Sequence, residues 1–130
     1  VGAVGLDRLT QPPYSLLKRD VEADLLPLCL REKIAVVPYQ VLQGGLLTGK
    51  YQRGRLPPPD SRKSEKADWL PELDSTLYDR LERIEAEARA RGRSLMAHAI
   101  AAVLEQPAVT SLIVGVKRPD QLAALLAAAE

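Results

Sequence analysis

The chain reads as α/β, parallel strands alternating with helices, and three observations predict that class. Residues 34–37, Ile-Ala-Val-Val, are apolar at every position instead of alternating, as a strand covered on both faces requires. Residues 20–32 carry helical spacing between that run and an earlier strand-like segment, so the two strands pair in parallel. Residues 109–114 form a third apolar run, followed by another helical stretch. A chain of 130 residues is enough for one domain with its own core. It is only about half of an eight-stranded α/β barrel of ~250 residues. The expectation is one domain over residues 1–130 that forms part of a barrel.

Charge and composition remove several classes of function. Net charge is +1 with no long block of one sign, so the basic footprint of a nucleic-acid binder is missing. No apolar run approaches ~18 residues and no signal peptide is visible, which argues against membrane insertion and export. A single cysteine, Cys29, cannot close an internal disulfide, and a reducing, cytoplasmic setting is expected.

In chain order, residues 1–4 are a short apolar piece fit for a strand, and Gln11-Pro12-Pro13-Tyr14-Ser15-Leu16-Leu17 carries the next. Residues 20–32 read as a helix. With Asp24 as N-cap, Pro27 falls at the third helical position, where its missing N–H costs nothing. Leu25, Leu28 and Cys29 then share the face that packs on the sheet. The strand at 34–37 stops at Pro38 and leaves Tyr39, Gln40, Val41, Leu42, Gln43, Gly44 and Gly45 at its carboxyl end. That is the edge at which α/β folds bind ligands.

Between Lys50 and Asp74 the chain is polar, proline-rich and too long for a plain connector, so it reads as a lid or binding loop. Trp69 is its one large aromatic, open to two roles, stapling the loop to the barrel wall or touching substrate. Ser61, Lys63, Ser64 and Lys66 read as a solvated stretch. Ser75 is expected to cap the next helix, with Leu77, Leu81, Ile84 and Ala88 inward and Gly92 at its end. Ser94 caps another, 95–105, stopped by Pro107. His98, the only histidine, has no Cys, Asp or Glu at ligand spacing along that helix and is expected at the surface or its boundary. After the strand at 109–114 come Gly115, Lys117 and Arg118, and Pro119-Asp120-Gln121 opens a terminal helix through Leu122, Leu125 and Leu126.

Two stretches carry chemistry. Gly44, Gly49 and Lys50 match the G-x-x-x-x-G-K of a phosphate-binding P-loop. Against that, Tyr51 stands where Ser or Thr would hold magnesium, and Pro57, Pro58 and Pro59 follow where a helix should run. Lys117 and Arg118 converge with the free N–H groups of a helix start at the end of a strand, which makes an anion site suited to phosphate. Arginine offers a bidentate fork and lysine a point charge. The competing reading is that the two cations only offset Asp120 on a wet surface.

The run V-P-Y-Q-V-L-Q-G-G-L-L-T-G-K-Y, residues 37–51, resembles the seventh strand and following loop of the aldo-keto reductases, Y-S-P-L-x-x-G-L-L-T-G-K-Y, departing from it at Gln40 and Val41. Q-P-P-Y-S-L-L, residues 11–17, is similar to that family's sixth strand, and S-L-M-A-H-A-I-A-A-V-L to its S-x-A-Q-x-A-L-A-W-L-L, with Ala102 for the tryptophan. Residues 115–121 resemble the segment I-P-G-A-x-R-P-E-Q that holds the adenosine 2′-phosphate of NADP, although Ala123, Ala124 and Leu125 replace the E-E-N beyond it.

The resemblance implies the C-terminal portion of a (β/α)8 TIM barrel and NADP-dependent hydride transfer to an aldehyde or ketone. By it, Gln11 bonds the nicotinamide carboxamide, Tyr39 stacks on the ring, and Gln40, Val41, Leu42 and Gly45 follow the pyrophosphate. Gly115, Lys117, Arg118 and Gln121 hold the 2′-phosphate. The family's catalytic Asp, Tyr, Lys and His belong to earlier strands and have no match here. No metal site is expected, and the remaining barrel would come from an N-terminal half or from self-association. The alternative is a non-catalytic nucleotide-binding or assembly module derived from the same fold.

Overall fold

The computed structural model describes residues 8–56, 59, 72–115 and 119–129. The expected strand at 1–4, Trp69, the stretch holding Ser61, Lys63, Ser64 and Lys66, and the pair Lys117 and Arg118 lie outside the described residues. Strand β1 (Leu9–Thr10) pairs in parallel with strand β2 (Ala35–Val36), Leu9 opposite Ala35 and Thr10 opposite Val36. Regular pairing extends beyond those short strands. Ala35, Val37 and Tyr39 donate their N–H groups to Arg8, Thr10 and Pro12, and Tyr14 N–H returns to the Tyr39 carbonyl.

On the other side of β2 the apolar run at 109–114 is not the regular strand expected. It makes one parallel bridge, Val109 to Val36, with bonds from Thr110 N–H to Val36 O (2.9 Å) and from Ile113 N–H to Pro38 O (2.9 Å). The step of three residues from Thr110 to Ile113 therefore matches a step of two, from Val36 to Pro38, along β2 and the chain beyond it. One extra residue is accommodated as in a bulge, which interrupts the ladder.

Helices cover one face of this sheet. The helical stretch at 20–32 is divided into a 3-10 turn, Asp20–Glu22, and helix α1, Leu25–Glu32. Asp24 does occupy the N-cap position and Pro27 the third helical position, but the Asp24 side chain makes no capping bond. Leu26 and Cys29 are the buried pair, whereas Leu28 is 39% exposed, so the packed face is rotated from the expected one. Helix α2 is Ser75–Ala90, and its N-cap is Asp74 in place of Ser75: the Asp74 carboxylate accepts from Leu77 N–H at 2.9 Å. It ends in a left-handed Gly92 (φ 68°), with Arg93 N–H bonded back to the Ala88 carbonyl. Helix α3, Leu95–Leu104, is capped by Ser94, whose hydroxyl accepts from Ala97 N–H at 3.1 Å. Helix α4 is Pro119–Ala129 and packs on α3, and Leu125 is its buried residue.

His98 is buried, not at the surface. It follows Leu95 by three positions on the inner face of α3, where its Nε2 lies 3.8 Å from a Glu87 carboxylate oxygen of α2. Its Nδ1 has no hydrogen-bond partner among the described residues. No helix among them is long and apolar enough to cross a membrane.

The core has two clusters. Tyr14, Leu26, Cys29, Val36, Val41, Val103 and Ala108 fill the space between the sheet and its helices. Leu46, Leu47 and Tyr51 form a second with Leu77, Tyr78, Leu81, Leu95 and Ala99, and Leu42 packs against both. Leu47 is fully buried, so Leu47→Ala is expected to cost about 2–5 kcal/mol in urea unfolding, by lost transfer energy and a residual cavity. Leu126→Ala, at a site 60% exposed, should stay within about 0.5 kcal/mol of the parent.

Candidate functional site

The side chains of β2 alternate: Val36 and Pro38 are buried toward the helices, and Tyr39 is exposed on the opposite face. The same alternation beyond β1 buries Pro12 and Tyr14 and exposes Gln11. With Pro13 bridged to Tyr39, Gln11 and Tyr39 fall on one open face at the carboxyl ends of neighbouring parallel strands. An amide that can both donate and accept thus shares a face with Tyr39, 39% exposed, two groups able to hold a planar ligand that carries a carboxamide.

The loop beyond Tyr39 owes its shape to a run of left-handed residues. Gln40 (φ 57°), Gln43 (φ 51°), Gly44 (φ 65°), Gly45 (φ 96°) and Gly49 (φ 89°) all have positive φ. A 3-10 segment, Gln43–Thr48, is threaded through them. The Val41 side chain is buried in the first core cluster, so it has only backbone to offer a ligand, and Leu42 lies half-buried between the two clusters. At Gly45 an added Cβ would meet Lys50, 3.3 Å from Cε and 3.4 Å from Nζ. The Lys50 side chain therefore folds back over the glycine turn and brings its ammonium to the loop. The G-K spacing of a P-loop does not correspond to its geometry here. No helix starts there, and Tyr51, in the magnesium-ligand position of a P-loop, is buried in the second cluster.

Further bonds fix the loop. The Thr48 hydroxyl donates to the Gly45 carbonyl at 2.6 Å and accepts from Lys50 N–H at 3.4 Å. Past the loop, Arg53 forks to Glu82 (2.9 Å) and Asp79 (2.7 Å) of α2 and sits 5.4 Å from the Tyr78 ring centroid. Gly115 is exposed with open space where a Cβ would stand, and Gln121 is half-buried in the first turn of α4. Among the described residues, no group of three or more metal-ligating side chains comes together.

Tyr14 does not resemble a proton donor. Burial first, and then its hydrogen bond to the Glu22 carboxylate, push the phenol above its ordinary value, so it stays protonated. For Glu22, burial works toward a higher pKa, but bonds from Arg19 (3.0 and 3.1 Å) and from Tyr14 outweigh it and hold the carboxyl below its ordinary 4.5. A depressed carboxyl stabilises the fold above the unfolded pKa and loses that contribution as pH falls through the folded one. Glu22→Gln should cost about 1–2 kcal/mol at neutral pH, measured by urea midpoint. The gap between variant and parent should shrink from about pH 5 to about pH 3, and a gap constant across that range would contradict the assignment.

A family model described as Aldo/keto reductase family matches residues 8–130. The Aldo-keto reductase YhdN of Bacillus subtilis (strain 168) is 29% identical over 116 residues, 88% of this chain and 35% of that protein. The NADH-specific methylglyoxal reductase of Escherichia coli (strain K12) is 31% identical over 114 residues, 88% of this chain and 34% of that protein. Among solved structures, a glycerol dehydrogenase from Gluconobacter oxydans superposes with a TM-score of 0.64 at 28% identity, covering 92% of this chain and 41% of that one. The chain thus spans 35% and 34% of the length of the two curated relatives. Its parallel segments and covering helices form part of a (β/α)8 barrel.

Proposed function

The chain belongs to the aldo/keto reductase family, and on that premise we propose that it is the cofactor-holding part of an NADP-dependent oxidoreductase acting on an aldehyde or ketone. The observation that supports this reading best is the placement of Gln11 and Tyr39 on one open face at adjacent strand ends, beside the left-handed glycine loop. The residues fit the cofactor's chemistry. Gln11 would bond the carboxamide and Tyr39 would stack on the ring. Backbone from Gln40, Val41, Leu42 and Gly45 would line the pyrophosphate, with the Lys50 ammonium as its counter-charge. Bound NADPH supplies the hydride.

Specificity for NADP is assigned to Lys117 and Arg118 as a clamp on the 2′-phosphate, with Gly115 and Gln121 beside it. The proton donor and its partners are assigned to a preceding N-terminal segment, because Tyr14 is committed to Glu22. That segment, or a second copy of this chain, would also close the barrel. A cytoplasmic setting suits a chain whose single thiol, Cys29, is buried and free.

Calorimetric titration of the chain with NADPH, NADH and ATP tests the proposal. The expected order is NADPH tightest, NADH weaker and ATP silent; equal affinity for NADPH and NADH would remove the 2′-phosphate clamp, and preference for ATP would overturn the dinucleotide site. Arg118→Ala should weaken NADPH by roughly 10-fold or more, the value of a charge-assisted bond, and leave NADH unchanged.

A further inference from the structure

We propose that the hydrogen bond between Ser15 and Gln43 is a positioning clamp that holds the glycine loop in its left-handed trace and couples it to the segment bearing Gln11. This rests on the cofactor reading above and assigns two residues that the reading does not use. Ser15 is fully buried at the turn that follows β1, and its own N–H and carbonyl are both tied to Lys18. Its hydroxyl donates to Gln43 Oε1 at 2.9 Å and accepts from Leu17 N–H at 3.1 Å, so both capacities are engaged and its direction is fixed. The two residues lie 28 positions apart and hang from different strands, so their bond joins the two strand ends that carry Gln11 and Tyr39.

Gln43 supplies the second half of the argument. It opens three consecutive left-handed residues, Gln43, Gly44 and Gly45, and is the only one of them with a side chain. That conformation is unfavourable for glutamine and nearly free for glycine. A side chain kept at such a position is held by its surroundings, and the Ser15 hydroxyl is the partner its amide meets. Neither residue is offered as touching cofactor or substrate.

The test uses the full chain and four variants, Ser15→Ala, Gln43→Ala, the double variant and Gln43→Gly, with near-ultraviolet circular dichroism to confirm folding. Ser15→Ala and Gln43→Ala should each weaken NADPH by roughly 5-fold, the effect of one neutral hydrogen bond, and the double variant should lose no more than either alone. Gln43→Gly should bind more tightly than Gln43→Ala, because glycine takes the left-handed turn without an anchor. Parent-like binding by Gln43→Ala, or losses that add in the double variant, would overturn the clamp. Amide hydrogen exchange across residues 43–47 separates this from the cofactor reading. If the unaltered chain binds no NADPH, the cofactor reading falls, and exchange alone decides the clamp: faster exchange in Ser15→Ala supports it, and unchanged exchange overturns it.

Discussion

Strand β2 is the constraint on which the rest depends, because its backbone is paired on both sides. Ala35, Val37 and Tyr39 bond toward β1, while Val36 and Pro38 bond toward the segment beginning at Val109. Two neighbours thus fix one short run of chain, and Val36 between them is wholly buried. Pro38 gives up a donor at the strand's end but still accepts through its carbonyl, so the ladder reaches Tyr39 before the chain turns. Three parts of the candidate site are positioned by this run: Gln11 by directly following the strand paired beside it, Tyr39 by continuing it, and the glycine loop by leaving it.

The loop is held from two directions. Val41 enters the cluster under the sheet, and Leu46 and Leu47 enter the cluster against α2 and α3. Between those anchors lie Gln43, Gly44 and Gly45, in backbone conformations that would otherwise be costly to order. Burial of flanking apolar side chains offsets that cost, and the half-buried middle, two of its three residues glycine, offers mainly backbone. This is the general arrangement of a binding loop on a rigid scaffold. Arg53 extends the anchoring to the surface of α2, although its contacts are solvent-exposed and add more to orientation than to stability.

Much of this was legible in the residues. A run apolar at every position predicts a buried parallel strand, Asp24 and Ser94 mark N-cap positions, and Gly92 marks a helix end, because each rests on a local steric or hydrogen-bonding rule. Where the reading failed, tertiary contacts decided. Asp74 and Ser75 are both good caps, and only the bond to Leu77 N–H distinguishes them. The stretch at 20–32 divides where Glu22 is taken up by Tyr14 and Arg19, partners that helical periodicity does not register. His98 is buried because α2 lies across it, a fact about a second helix and not about its own. The position of Lys50 over Gly45 follows from a turn that the glycines permit but do not spell out.

The extra residue between Thr110 and Ile113 has an effect on orientation that composition could not disclose, since the run is apolar at most positions. Counting in twos from Val109, whose side chain lies toward the helices, would send Ile113 and residue 115 inward as well. With one residue absorbed, the parity inverts: Leu112 and Val114 pack inward, and Ile113 and Gly115 turn outward. A single extra residue thus decides that Gly115 shares its side of the sheet with Gln11 and Tyr39, and deleting it would swap the two sides of this segment without altering any other residue in it.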